Sequence, residues 1–166
     1  MVLRFKTDRS ITGRGFNISY TTQDKNRGCG GYLNDTQGEI TSFDVDGDGE
    51  YENFVDCRWT IVAADDEVGR FTIIDIDLQN NTGCTLDYIK VYDGMNDNAP
   101  LIGQYCGDTL PPPIVATSKF LYVIFHTDGT GTRTGFNATY GRTSGKCLKM
   151  LPKCFKNMFK NIYFIP

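Results

Sequence analysis

The 166-residue sequence holds a single histidine, and no apolar run approaches the roughly 20 residues needed to span a bilayer. Any Ser-His-Asp or Cys-His nucleophile pair would have to use His126, and no nucleophile motif surrounds any serine, which argues against hydrolase chemistry. None of the six cysteines, Cys29, Cys57, Cys84, Cys106, Cys147 and Cys154, stands in a CxxC pair, which disfavours a zinc ribbon. "GTGTRTG" lacks the lysine and the strand-to-helix context of a phosphate loop. From Ser144 to Pro166 there is no acidic residue; setting aside Lys146, Lys149, Lys153, Lys156 and Lys160 leaves 12 basic residues against 20 acidic ones, a net −8 for residues 1–145. So acidic a body excludes nucleic acid, whose affinity rests on Lys and Arg meeting phosphates. It suits cations or basic protein partners instead. The opening residues, "MVLRFKTDRS", lack the apolar run of a signal peptide. An extracellular chain of this sequence is therefore expected to be a fragment or an incomplete gene product.

What is present is a packed-core composition, 40% hydrophobic and 13% aromatic, in a length that suits about one domain. Four N-glycosylation sequons stand at Asn17, Asn34, Asn80 and Asn137. Together with an even cysteine count they point to an oxidising, secretory compartment, hence an extracellular or cell-surface location.

"FKTDRSITGRGFNISY" (Phe5–Tyr20) and "FHTDGTGTRTGFNATY" (Phe125–Tyr140) align without a gap, with Phe, Thr, Asp, Thr, Gly, Phe, Asn and Tyr coinciding. Their wide separation marks a domain repeat rather than a solenoid period. Residues 1–26 are expected to be the end of one domain and a linker, residues 27–143 a complete second copy, and residues 144–166 a basic, apolar, disordered tail. Within the complete copy, "CRWTIVA", "GRFTIIDIDL", "DYIKVYDG" and "KFLYVIFHTDG" are rich in β-branched and aromatic residues. They are separated by the breakers "NNTGC", "MNDNAP" and "TLPPPI". Short strands between turns predict an all-β, antiparallel β-sandwich.

The order of "CGGYLNDTQGEITS", "YENFVDCRWTI", "CTLDYIKVYDG", "YCGDTLPP" and "FHTDGTGTRTGFNATY" closely resembles the CUB domain, an extracellular sandwich of jelly-roll type. The resemblance implies Cys29–Cys57 and Cys84–Cys106 disulfides, each worth roughly 3 kcal/mol by chain entropy. It also implies calcium at one end of the sandwich, held by Asp77, Asp87, Asp128 and Thr130 and supported by Tyr51. Carboxylates converging on one point need a cation, and calcium accepts 6–8 oxygens with flexible geometry. Asp77 stands where the family usually has Glu, and "NNTG" lengthens the loop before Cys84. In the remnant, Asp8 and Ser10 occupy the matching positions without the other ligands.

"DVDGDGE" replaces the family's proline-rich turn. Asp44, Asp46 and Asp48 at alternate positions, with Glu52 at the ninth, fit the start of a calcium loop. Val55 at the twelfth cannot supply a bidentate carboxylate, and no flanking helices are evident, so an EF-hand is not expected. A compact calcium loop, disordered without its cation, and an ordinary solvated turn both stand.

The function implied is a non-enzymatic, calcium-dependent module that binds extracellular protein ligands through their basic side chains. The tandem copies look most like cubilin-type endocytic receptors, with the membrane reached only through the parent. The rivals are a recognition fragment of a tolloid- or complement-type protease and a structural spacer without calcium.

Overall fold

A computed structural model describes residues 29–145, and Lys6, Ser10 and Gly13 besides. The expectations for Asp8, Asn17, Cys147 and Cys154, and for nearly all of the remnant and tail, lie outside the described residues.

The chain forms nine strands among the described residues: β1 (Gly31–Leu33), β2 (Gln37–Thr41), β3 (Asp56–Val62), β4 (Glu67–Asp77), β5 (Tyr88–Tyr92), β6 (Leu101–Tyr105), β7 (Ile114–Val115), β8 (Phe120–His126) and β9 (Gly135–Ser144). They form two sheets, ordered β1-β3-β8-β5-β6 and β2-β9-β4-β7. Every pairing is antiparallel except β1 with β3. The exception follows from the Cys29–Cys57 disulfide, which pins the start of β1 beside the start of β3 so that the two run the same way. Gly30 permits the approach: with φ at +86°, a Cβ there would lie 2.8 Å from the Arg58 carbonyl oxygen. The second disulfide joins Cys84 to Cys106.

Trp59, Ile61, Phe71, Ile89, Val91, Leu121, Val123, Phe125, Phe136 and Ala138 fill the space between the sheets. Tyr88, Lys90 and Tyr92 point away from it, as the alternation in "DYIKVYDG" predicts. The alternation in "GRFTIIDIDL" does not carry through. Continued from Phe71 and Ile73, it would point Asp75 and Asp77 into the core. A register shift against β9 between Ile73 and Asp75 resets the phase instead. Ile76 and Leu78 are thereby buried, Asp75 and Asp77 face outward, and Ile74 is left 52% exposed at the irregularity. Asp77 consequently reaches the loop end of the sandwich as a usable carboxylate. Strands β6 and β7 follow two of the breaker segments, and the last residue of "TLPPPI", Ile114, already belongs to β7. No helix among the described residues is long and apolar enough to cross a membrane.

Candidate functional site

The loops 42–55, 78–87 and 127–134 meet at one end of the sandwich, and Asp87 is the point that joins them. Its side chain is wholly buried. One carboxylate oxygen accepts the Tyr51 hydroxyl at 2.5 Å, and the other accepts the Asp128 backbone N–H at 2.7 Å. The Tyr51 oxygen in turn accepts the Gln79 N–H at 3.0 Å, so the phenol ties loop 42–55 to loop 78–87 at two points and Asp87 carries the link on to Asp128. Its ring packs edge-on against Phe125, which packs on Phe136, so the polar junction stands on the aromatic core. Burial pushes the Tyr51 phenol above its ordinary range, and the bond it donates to Asp87 adds to this.

Thr127 supplies a second junction. It is buried, its hydroxyl donates to the Glu52 carbonyl at 2.9 Å, and it accepts the Val55 N–H at 2.8 Å. The Thr127 N–H donates to the Val55 carbonyl and the Phe54 N–H to that of Asp128. The Asp128 carboxylate accepts the Thr130 N–H at 2.8 Å and its hydroxyl at 3.4 Å. Asp77 accepts the Thr134 hydroxyl at 3.3 Å. Beside Asp77 lies an open cavity of about 340 Å³ lined also by Gln79, Asn80, Asp108 and Arg133.

Of the five residues expected at the calcium site, Tyr51, Asp87, Asp128 and Thr130 lie on the three loops of this end, and Asp77 is the last residue of β4, which leads into them. Their carboxylates, however, do not close on a single point. Among the described residues, Asp44, Asp46 and Asp48 are the one acidic trio whose ligand atoms all lie within 4.8 Å of one another. All three are exposed. Asp44 accepts the Gly47 N–H at 2.6 Å and the Gly49 N–H at 2.8 Å, Asp46 accepts that of Asp48, and Asp48 that of Glu50. The positive φ of Gly47 and Gly49 allows this wrapping. The amides of Gly49 and Gly47 hold the Asp44 carboxyl below its ordinary range. Glu52 stands apart from the trio and accepts the Val45 N–H at 2.9 Å. Glu50 accepts the Thr132 hydroxyl, tying this loop to the β8–β9 loop.

At the other end, "YDG" has a structural use. Asp93 accepts the backbone and hydroxyl groups of Thr117 and Ser118. Burial works against its charge, but those bonds prevail and keep its carboxyl low. His126 is half-buried at the end of β8, stacked on Tyr88 with ring centroids 5.0 Å apart and 3.9 Å from Asp56. Of the sequons, Asn34 and Asn80 are exposed, whereas Asn137 is half-buried in β9. Asn80 stands beside the cavity at the acidic end.

Thr127 belongs to no ligand pattern in the sequence, and its one signal there is that it coincides with Thr7 in the internal repeat. Phe54 gave no signal, because nothing in "YENFVDC" announces its backbone conformation.

Human cubilin is 40% identical over 144 residues, covering 84% of this chain and 4% of that protein. Human tolloid-like protein 1 is 30% identical over 149 residues, covering 90% of this chain and 14% of the protein. The crystal structure of the MASP-1 CUB2 domain bound to Ca2+ shares the fold at a TM-score of 0.55 and 24% identity, over 66% of this chain and 96% of that one. The chain thus spans a small part of the length of the curated relatives it matches. The CUB domain family model matches once, over residues 29–140. That interval runs from the first disulfide cysteine to the last core tyrosine, and the chain belongs to the CUB domain family.

Proposed function

We propose that residues 29–140 form a non-enzymatic extracellular protein-binding module whose recognition end is organised by calcium. The observation that carries this is Asp87, a fully buried carboxylate that joins three loops. The donors around it are oxygens, which suits a hard cation in kind. Asp77, Asp87, Asp128 and Thr130 would hold the ion, with Tyr51 fixing Asp87. Calcium would neutralise the carboxylates and order the loops. The half-exposed Asp77 and Asp128 would then meet a Lys or Arg of an extracellular protein partner. Nucleic acid is no partner for such a surface, and any membrane contact belongs to the parent. The tandem repeat and the similarity to cubilin favour an endocytic receptor as that parent. A protease parent would be marked by a metal-binding HExxH motif in the flanking sequence.

The grouping of Asp44, Asp46 and Asp48 favours a second reading, in which that loop takes the ion. Thermal melting of the full chain in a calcium titration separates the two. At ten times a dissociation constant of ~10⁻⁴–10⁻³ M, binding stabilises by about 1.4 kcal/mol. We expect Asp128→Ala to abolish the rise in melting temperature and Asp46→Ala to keep it. The reverse result would move calcium to the acidic loop, and no rise in the unsubstituted chain would leave only the spacer.

A further inference from the structure

Phe54 combines two features that folding alone disfavours. Its side chain is 83% exposed, and its φ is +58°, in the left-handed region that a bulky residue seldom adopts. Such a conformation persists only where neighbours over-determine it. Here four bonds do so. Phe54 N–H donates to the Asp128 carbonyl at 2.8 Å, Thr127 N–H to the Val55 carbonyl at 3.0 Å, and Val55 N–H to the Thr127 hydroxyl, which donates to the Glu52 carbonyl. The ring lies over Gly129, where an added Cβ would sit 2.6 Å from its Cζ. An aromatic ring on a fixed backbone is thus presented to water beside Asp128.

Its surroundings state which occupant it fits. Asp44, Asp46, Asp48, Glu50, Glu52 and Asp128 lie on the loops of the same end, with Asp77 at the end of β4, and Arg133 is the one cationic side chain among described residues 42–55, 78–87 and 127–134. An aromatic face in an acidic surround suits a cation with an apolar stem or a flat π-face, which is arginine above all.

We propose that Phe54 is the specificity-determining residue of the recognition end, stacking the guanidinium or stem of an arginine on a protein partner while the neighbouring carboxylates take its charge. This rests on the recognition end proposed above and adds the side chain that selects within it. Truncating Phe54 removes a ring that nothing in the fold requires. Asn adopts the left-handed backbone at lower cost than Phe, so Phe54→Asn relieves strain while removing the ring.

The test uses the uniformly ¹⁵N-labelled full chain in millimolar calcium, titrated with the capped peptide Gly-Gly-Arg-Gly-Gly and, separately, with its citrulline analogue. The arginine peptide is expected to shift the amide signals of Phe54, Asp128 and Gly129, and the neutral analogue is not. Phe54→Asn is expected to melt at a higher temperature than the unsubstituted chain yet bind the arginine peptide about two- to fivefold more weakly. Phe54→Tyr is expected to keep the affinity. Equal affinity in Phe54→Asn, or shifts confined to another surface, overturns the inference. If that binding still needs calcium and Asp128, the proposed function stands without it. If the unsubstituted chain shows neither a calcium response nor a peptide response, both fall together.

Discussion

Asp87 and Asp44 are both carboxylates with two hydrogen bonds to each side chain, yet they do different things. Asp87 is buried, and its donors come from Tyr51 and Asp128, 36 and 41 residues away in sequence. Asp44 is exposed, and its donors are the amides of Gly47 and Gly49, three and five residues along. A buried bond between distant segments fixes where three loops stand relative to one another, and losing it strands polar groups away from water. A local bond in water shapes one turn, which solvent can replace. Proximity of carboxylates therefore ranks the two places one way, and connection to the fold ranks them the other.

The largest expected break in this comparison is Asp87→Ala. It leaves the Tyr51 hydroxyl and the Asp128 N–H without an acceptor, and we expect a loss of about 2–4 kcal/mol of stability. Urea unfolding at neutral pH without calcium measures this directly. A midpoint unchanged from the parent would mean that the junction carries no stability and only happens to be buried.

Tyr51→Phe is a sharper and smaller cut. It removes one hydroxyl and keeps the ring on Phe125, with an expected cost of about 1–2 kcal/mol. It also has a pH signature. The phenol is raised above its ordinary value near 10, so the fold favours the neutral form. That contribution is complete below pH 10 and is lost as pH climbs towards the raised value. Stability of the unsubstituted chain should thus fall with rising pH above 10. The other raised tyrosines, Tyr88, Tyr92, Tyr105 and Tyr140, contribute to the same fall. Unfolding series at alkaline pH should show a shallower fall in Tyr51→Phe, and identical slopes would remove Tyr51 from the account.

The smallest effect is expected at Asp44→Ala. The Gly47 and Gly49 amides should lose protection in hydrogen exchange while the cooperative melting of the sandwich stays where it was. A global drop in melting temperature would show that the acidic loop is coupled to the core after all, with the Glu50–Thr132 bond as the route.

Much of this was readable in the residues. The apolar alternation in "DYIKVYDG" specified which side chains enter the core, because a strand's period of two leaves no other choice once one face is buried. The order of cysteines, the "YDG" turn and the Gly-Phe ending carried the family, and with it the end of the molecule at which Tyr51, Asp77, Asp87 and Asp128 lie. Tertiary structure alone decided the rest. The parallel β1–β3 pair depends on where a disulfide pins two strand starts. Asp77 faces outward only because the β4–β9 register shifts, and a register belongs to a pair of strands. Phe54 sits in the left-handed region because four bonds from a segment about 70 residues away hold it there. Local sequence cannot announce a conformation whose cost is met by distant partners, and for the same reason nothing local in "CTLDYIKVYDG" announces that Asp87 is buried at the joint of three loops.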